Sequence, residues 1–245
     1  MNTKKLVRTA VRWSAASVGM GAAAYAAYVG TTWLRYGHVE ASSGVESDAL
    51  LDRFMPTYEV VERHRTYVAA PAAITLAAAS EMDLQELRIV RYIFKGRELL
   101  LGTKPDERPR PRGIIALTRS LGWAVLAETP GREIVMGAVT QPWESDVVFR
   151  PVPPEAFANF NDPGYVKIVW TLRADAVGDN ASIFRTETRV VATDAVARLR
   201  FRRYWSLLSP GIVLIRRATL GPVREEAERR ARELQSRPEV AVGAM

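Results

Sequence analysis

Two alternating stretches, YVKIVWTLRAD (165–175) and SIFRTETRVVAT (182–193), flank AVGDN, and one long helical pattern follows from Asp194 to about residue 235. Alternation at a period of two marks half-buried strands, and a Gly-containing connection of this length joins them as an antiparallel hairpin. An antiparallel sheet of this kind needs one face covered. A long amphipathic helix such as the closing one, lying in a curved sheet, does that. This pairing constrains the chain to an α+β fold, with the sheet wrapped around the C-terminal helix.

The rest of the pattern agrees. YEVVERHRTYV (58–68) reads as a first strand, ended by AAP. Pro71 suits a helix start, and the helix runs to about residue 81. Asp83 predicts an N-cap for a second helix reaching Leu101, followed by a Pro-rich loop over 102–112. GIIALTRSLG is a third short helix. WAVLAE and EIVMGAVTQPW are strands joined by the turn TPGR. A short strand near Val147–Arg150 and a helical turn at PPEAFANF precede the hairpin.

On strand 165–175, Val166, Ile168, Trp170, Leu172 and Ala174 share the face predicted to point inward. Strand 182–193 leaves two readings open. Phe184, Thr186, Thr188 and Val190 compete with Arg185, Glu187, Arg189 and Val191 for the inner face, so that Glu187 between its two arginines forms either a surface ladder of ion pairs or an inward polar anchor for a ligand. On strand 58–68, Glu62 and His64 share the face of Val68, so all three point inward if Val68 does. A carboxylate two residues from an imidazole is an acid–base arrangement. The same pair also serves as ordinary hydrogen-bonding groups at a sheet edge.

FRRYWSLLSPGIVLIRR (201–217) is too apolar for a solvated helix and too basic for a buried one. Pro210 has no N–H, so Ser209-Pro210 predicts a start or restart of the helix, with Ile212 and Ile215 facing the sheet. Gly221-Pro222 predicts a further bend. Arg216 and Arg217 point about 100° apart, so at most one of them reaches an interior site. Between Asp194 and Glu225 there is no acidic residue. This basic face either meets anionic lipid headgroups or is simply solvated.

Residues 1–36 read as a separate piece. Lys4, Lys5, Arg8 and Arg12 precede 22 uncharged residues, Trp13 to Leu34. A helix of that length spans about 33 Å, enough for a bilayer core. The cations place the N-terminus inside and the domain outside, as a single-pass anchor. Cleavage near Ala24-Tyr25-Ala26, leaving a secreted domain, is the alternative. Residues 37–56 read as a linker with a short helix at 47–54, residues 57–235 as the domain, and 236–245 as a disordered tail.

The chain has no cysteine, which excludes disulfides, thiolate metal sites and a Cys nucleophile. It carries no phosphate-binding loop, nucleophile elbow, zinc motif or dinucleotide fingerprint, so neither a metal nor a cofactor is expected. The net charge of +7 favours anionic partners. Nucleic acid is not expected on the outer side of a membrane.

RTYVAAPAAIT (65–75), GREIVMGAVTQPW (131–143), SIFRTETRVVATD (182–194) and RRYWSLLSPGIVLIRR (202–217) resemble the START-like, or SRPBCC, helix-grip superfamily. It includes lipid-transfer domains, Bet v 1-like carriers and polyketide cyclases. The resemblance covers roughly residues 58–235, and the extra helix at 83–101 departs from its shorter members. It implies a cavity between sheet and C-terminal helix that holds a hydrophobic small molecule or lipid. Trp170, Ile168, Val166, Leu172, Trp205, Ile212, Ile215 and Arg216 are the ligand-binding candidates. The expected function is that of a membrane-tethered carrier or binding domain. The alternative is a cyclase- or dehydratase-type enzyme using Glu62 and His64. The oligomeric state is left open.

Overall fold

The computed structural model describes residues 3–39, 47–83 and 111–236, and of residues 3–18 only the helical path. In chain order the elements are α1 (Thr3–Arg35), α2 (Ala49–Asp52), β1 (Val60–Val68), α3 (Ala72–Glu81), α4 (Ile114–Ser120), β2 (Ala124–Thr129), β3 (Glu133–Thr140), α5 (Pro154–Phe157), β4 (Val166–Ala176), β5 (Ser182–Ala192) and α6 (Ala195–Ser236). The strands form one five-stranded sheet in the order β1-β5-β4-β3-β2. Every neighbouring pair is antiparallel. The fold is α+β, with a long C-terminal helix against the sheet as a helix-grip arrangement requires. The helix and loop expected over 83–112 lie almost wholly outside the described residues, as does most of the expected tail.

The register fixes two sheet faces. Val60, Glu62, His64, Thr66 and Val68 on β1 stand opposite Val190, Thr188, Thr186, Phe184 and Ser182 on β5. Thr188 pairs in turn with Trp170 and Thr186 with Leu172 on β4. This is the inner face, covered by α3 and α6, and Val68 is fully buried in it. Its apolar residues form two clusters. One joins Val68, Met136, Trp170, Leu172 and Phe184 to α3 and to Val223, Ala227 and Ala231 of α6. The other joins Val60, Val166 and Val190 to Tyr36, Phe201 and Trp205.

The outer face is covered as well. Leu51, Phe54 and Met55 pack with Phe157, Val135, Val139 and Val169. The stretch 47–56, expected within a linker, is therefore part of the packed structure; four apolar side chains in six residues, Leu50 to Met55, are more than a solvated tether carries. Gly137 makes the close approach possible. A Cβ there would lie 2.4 Å from Leu126 Cδ1 and 2.9 Å from Phe157 Cε2.

This covering overturns the surface-ladder reading of β5. Arg185, Glu187 and Arg189 do point outward, but Arg189 is fully buried and Glu187 nearly so. Neither is an inward ligand anchor. A buried guanidinium needs partners. Arg189 donates to Glu187 Oε1 at 2.7 Å, Asp52 Oδ1 at 2.5 Å and the Met55 carbonyl at 2.8 Å, and lies 4.6 Å from the Tyr58 ring centroid.

The long helix also differs from expectation. Asp194 caps it as predicted, accepting from the backbone N–H of Val196 and Ala197 at 2.7 and 2.9 Å. It then runs unbroken for 42 residues, with Pro210 and Pro222 inside it. A proline removes one donor from the ladder, and packing on both flanks carries the helix past it. Ser209 is no cap: its Oγ lies 3.0 Å from Tyr28 Oη of α1. The strand expected near 147–150 reduces to one bridge, Val139 with Arg150.

The uncharged run 13–34 is helical within α1. Among the described residues, however, no helix is long and apolar enough to cross a membrane. Ala, Gly, Ser and Thr make the run weakly apolar. Its C-terminal part packs on α6. Tyr25 Oη donates to the Leu207 carbonyl at 2.6 Å, and Arg202 donates to the Trp33 carbonyl at 2.9 and 2.6 Å while lying over the indole.

Candidate functional site

The two inner clusters do not merge. Between them the inner face carries Glu62 and His64 from β1, Thr186 and Thr188 from β5, and Arg216 from α6. Thr186 and Thr188 are buried, and the His64 side chain is 9% exposed. A band of polar groups thus crosses an otherwise apolar interior.

Its hydrogen bonding is incomplete. Among the described residues, His64 Nε2 and Thr188 Oγ1 are buried without a hydrogen-bond partner. His64 Nε2 lies 3.5 Å from Glu62 Oε2, an ion-pair distance and not a good hydrogen bond. Arg216 Nη1 reaches Thr186 Oγ1 at 3.3 Å, and its Cζ lies 5.3 Å from the Trp170 ring centroid. Burial pushes the Arg216 guanidinium down to about 10, while the Glu62 carboxylate pulls it back up. It remains a cation at neutral pH, held at an energetic cost.

The structure thus brings four expected residues together: Glu62, His64, Trp170 and Arg216. Leu172 lies beside Trp170 in the same cluster. Val166, Ile168, Ile212 and Trp205 belong to the other cluster, so Trp205 does not share a cluster with Trp170 as expected. Ile215 is half-buried. Of the adjacent arginines, Arg216 turns to the sheet and Arg217 is exposed, as their angular separation requires. Ile212, Ile215 and Arg216 are all only half-buried, so α6 does not close tightly over the band. Thr186 and Thr188 belong to one of the two faces that compete for the interior in the sequence of β5, and it is that face which turns inward. The signal for it was two threonines between Phe184 and Val190 at a spacing of two.

Two surface clefts, of about 390 and 380 Å³, open elsewhere and share Arg132. Neither touches the band, so the cavity implied by the resemblance is not where the clefts lie. The first is floored by Asp48 and Glu133. Glu133 is pushed up to about 8, first by burial and then by its hydrogen bond with Asp48. Asp48 Oδ1 also accepts from Leu51 N at 2.9 Å and so caps α2. This carboxyl pair fastens α2 to the sheet. No group of three or more potential ligating side chains stands together to hold a metal among the described residues.

No family model and no curated protein sequence matches the chain. Among solved structures, a norcoclaurine synthase point mutant from Thalictrum flavum is 10% identical, covering 72% of this chain and 96% of its own, with a TM-score of 0.33. A START superfamily protein from Mycobacterium smegmatis is 12% identical, covering 71% and 98%, with a TM-score of 0.26. The ZhuI aromatase/cyclase from Streptomyces sp. R1128 is 14% identical, covering 76% and 99%, with a TM-score of 0.25. Likeness this distant assigns neither ligand nor reaction.

Proposed function

We propose that this protein is a binding or carrier domain for a hydrophobic small molecule of the lipid class, lodged between the inner sheet face and α6. One observation carries the reading. Buried polar groups with unused hydrogen-bonding capacity lie between two apolar clusters, beneath a helix that covers them only partly. Unsatisfied buried groups are costly and uncommon in native interiors. An amphiphile with apolar parts against the clusters and a polar part at the band would satisfy them. Native mass spectrometry of the full-length chain tests this: a co-purified adduct at one per chain is expected. Absence of an adduct, together with no binding of an added alkyl amphiphile, would remove the reading.

A membrane tether through α1, with the N-terminus inside and the domain outside, is the second half of the proposal. The uncharged run beside Lys4, Lys5, Arg8 and Arg12 supports it, and the weak hydropathy of α1 stands against it. Retention in the membrane pellet after a carbonate wash is the expected result. Release with an intact N-terminus would end this half.

The enzyme reading rests on Glu62 and His64 at 3.5 Å, with the imidazole largely shielded. It requires turnover of a bound amphiphile that Glu62→Gln and His64→Ala each abolish without loss of binding.

A further inference from the structure

We infer that the bound molecule is a single-chain amphiphile with an acidic head, a carboxylate or phosphate monoester, and that Arg216 receives the head against Thr186 and Thr188. This rests on the ligand reading above and narrows its chemistry.

A guanidinium offers five N–H donors in a planar fork and no acceptor. Arg216 uses one of them, on Thr186 Oγ1 at 3.3 Å, among the described residues. Its Cζ lies over the Trp170 ring, 5.3 Å from the centroid, and the remaining N–H donors are open to another partner. Among the described residues, Glu62 is the one carboxylate that acts on it appreciably. Glu62 is itself turned to His64, Oε2 to Nε2 at 3.5 Å, and its side chain is 26% exposed. β5 and β4 contribute Thr186, Thr188, Trp170 and Leu172 here, none of which brings a charge. Among the described residues, then, no carboxylate pairs with the half-buried Arg216 fork. Thr188 Oγ1, buried and unpartnered, is one further hydrogen-bond donor on the inner face.

An acidic head suits this set. It accepts two parallel N–H bonds from the fork, the geometry that carboxylates and phosphates share. A neutral ester or alcohol supplies fewer acceptors and no charge. The apolar chain then runs along Trp170 and Leu172 or toward Ile168 and Ile212. Only Arg216 of the adjacent pair can take part, because Arg217 points into solvent.

The test uses the full-length chain and two fluorescent probes, 11-(dansylamino)undecanoic acid and its methyl ester. The acid is expected to bind at least tenfold more tightly than the ester. Arg216→Gln should erase that preference, Arg217→Gln should keep it, and 0.5 M salt should leave most of it. Displacement by dodecyl phosphate or by decanoate, but not by dodecanol, then shows which acidic head is preferred. Equal binding of acid and ester to the unmutated chain overturns the inference while leaving the ligand reading intact. A preference lost equally in Arg217→Gln, or lost in salt, also overturns it, since a diffuse surface charge would then be responsible. If neither probe binds, the ligand reading falls and this inference with it. The acid-to-ester ratio of the unmutated chain decides the matter even if Arg216→Gln does not fold.

Discussion

Arg189 and Asp52 meet at 2.5 Å on the outer face of the sheet, tying β5 to the short helix α2 that precedes the first strand. The contact has no counterpart in a fold whose outer face is solvated. It explains how a cation with no exposed surface survives inside the domain.

Arg189→Leu should therefore destabilise strongly. Glu187 would keep only Arg63, whose Nε lies 3.1 Å from Oε2, and would stay buried. Breaking one partner of a buried ion pair costs about 3–5 kcal/mol. The double variant Glu187→Gln/Arg189→Met, which removes both charges, should cost clearly less. Urea denaturation midpoints of the single and double variants provide the comparison. A double variant as unstable as the single one would show that packing, and not charge, governs this site.

Glu133 predicts a pH dependence of definite sign. Its ordinary value is 4.5 and the folded protein pushes it up to about 8. Between those values the native state keeps a proton that the unfolded chain releases. Stability from this group is full below about pH 4.5 and falls as pH rises through about 8. Asp48 and Arg173 act on it directly, and Arg53 and Arg132 line the same cleft. Glu133→Gln should flatten the decline between pH 5 and 9. A urea midpoint that climbs with pH in the unmutated chain would contradict the assignment.

Much of the fold was legible because alternation and helical spacing reflect burial directly. The β4–β5 hairpin, the Asp194 cap and the inward turn of Glu62, His64 and Val68 all follow from period-two or capping logic. What escaped has physical causes. Arg189 and Glu187 read as exposed because charge in a strand usually marks solvent, and nothing local shows that residues 48–58 fold back over them. Ser209-Pro210 read as a helix start because cap-and-proline grammar is local, whereas packing along both flanks of α6 is not. The polar band was half legible. Glu62, His64 and Arg216 stood out as titratable groups, but the threonines opposite them are common strand residues.

Gly137 should resist substitution. In Gly137→Ala the new methyl would meet Leu126 Cδ1 at 2.4 Å and Phe157 Cε2 at 2.9 Å. Overpacking of this kind costs about 1–3 kcal/mol. Leu126→Val in the same background should recover part of the loss by removing the closest atom. Thermal denaturation of the single and double variants reads this out. A neutral Gly137→Ala would mean that α5 shifts freely on the outer face.

The last prediction concerns Pro210, embedded in α6 where a helix start was expected. Its ring nitrogen cannot donate to the Ser206 carbonyl, one turn earlier. Just beside that gap α1 makes its polar contacts, Tyr25 Oη to the Leu207 carbonyl at 2.6 Å and Tyr28 Oη with Ser209 Oγ at 3.0 Å. The alternatives differ in sign. If the proline is only tolerated, Pro210→Ala restores a ladder bond and should stabilise the chain, by at most the roughly 3 kcal/mol that separates Pro from Ala in a helix interior. If the proline shapes the turn to receive α1, the same change should loosen α1 and destabilise. We expect stabilisation, because α6 is continuous through Pro210 and the buried residues Trp205, Ser206 and Ser209 before it keep helical spacing with Thr219 and Val223 after it. Tyr28→Phe, which deletes the hydroxyl contact alone, should cost about 0.5–1.5 kcal/mol in either background. Pro210→Ala that lowers the melting temperature and makes Tyr28→Phe silent would show that the proline holds the α1–α6 junction.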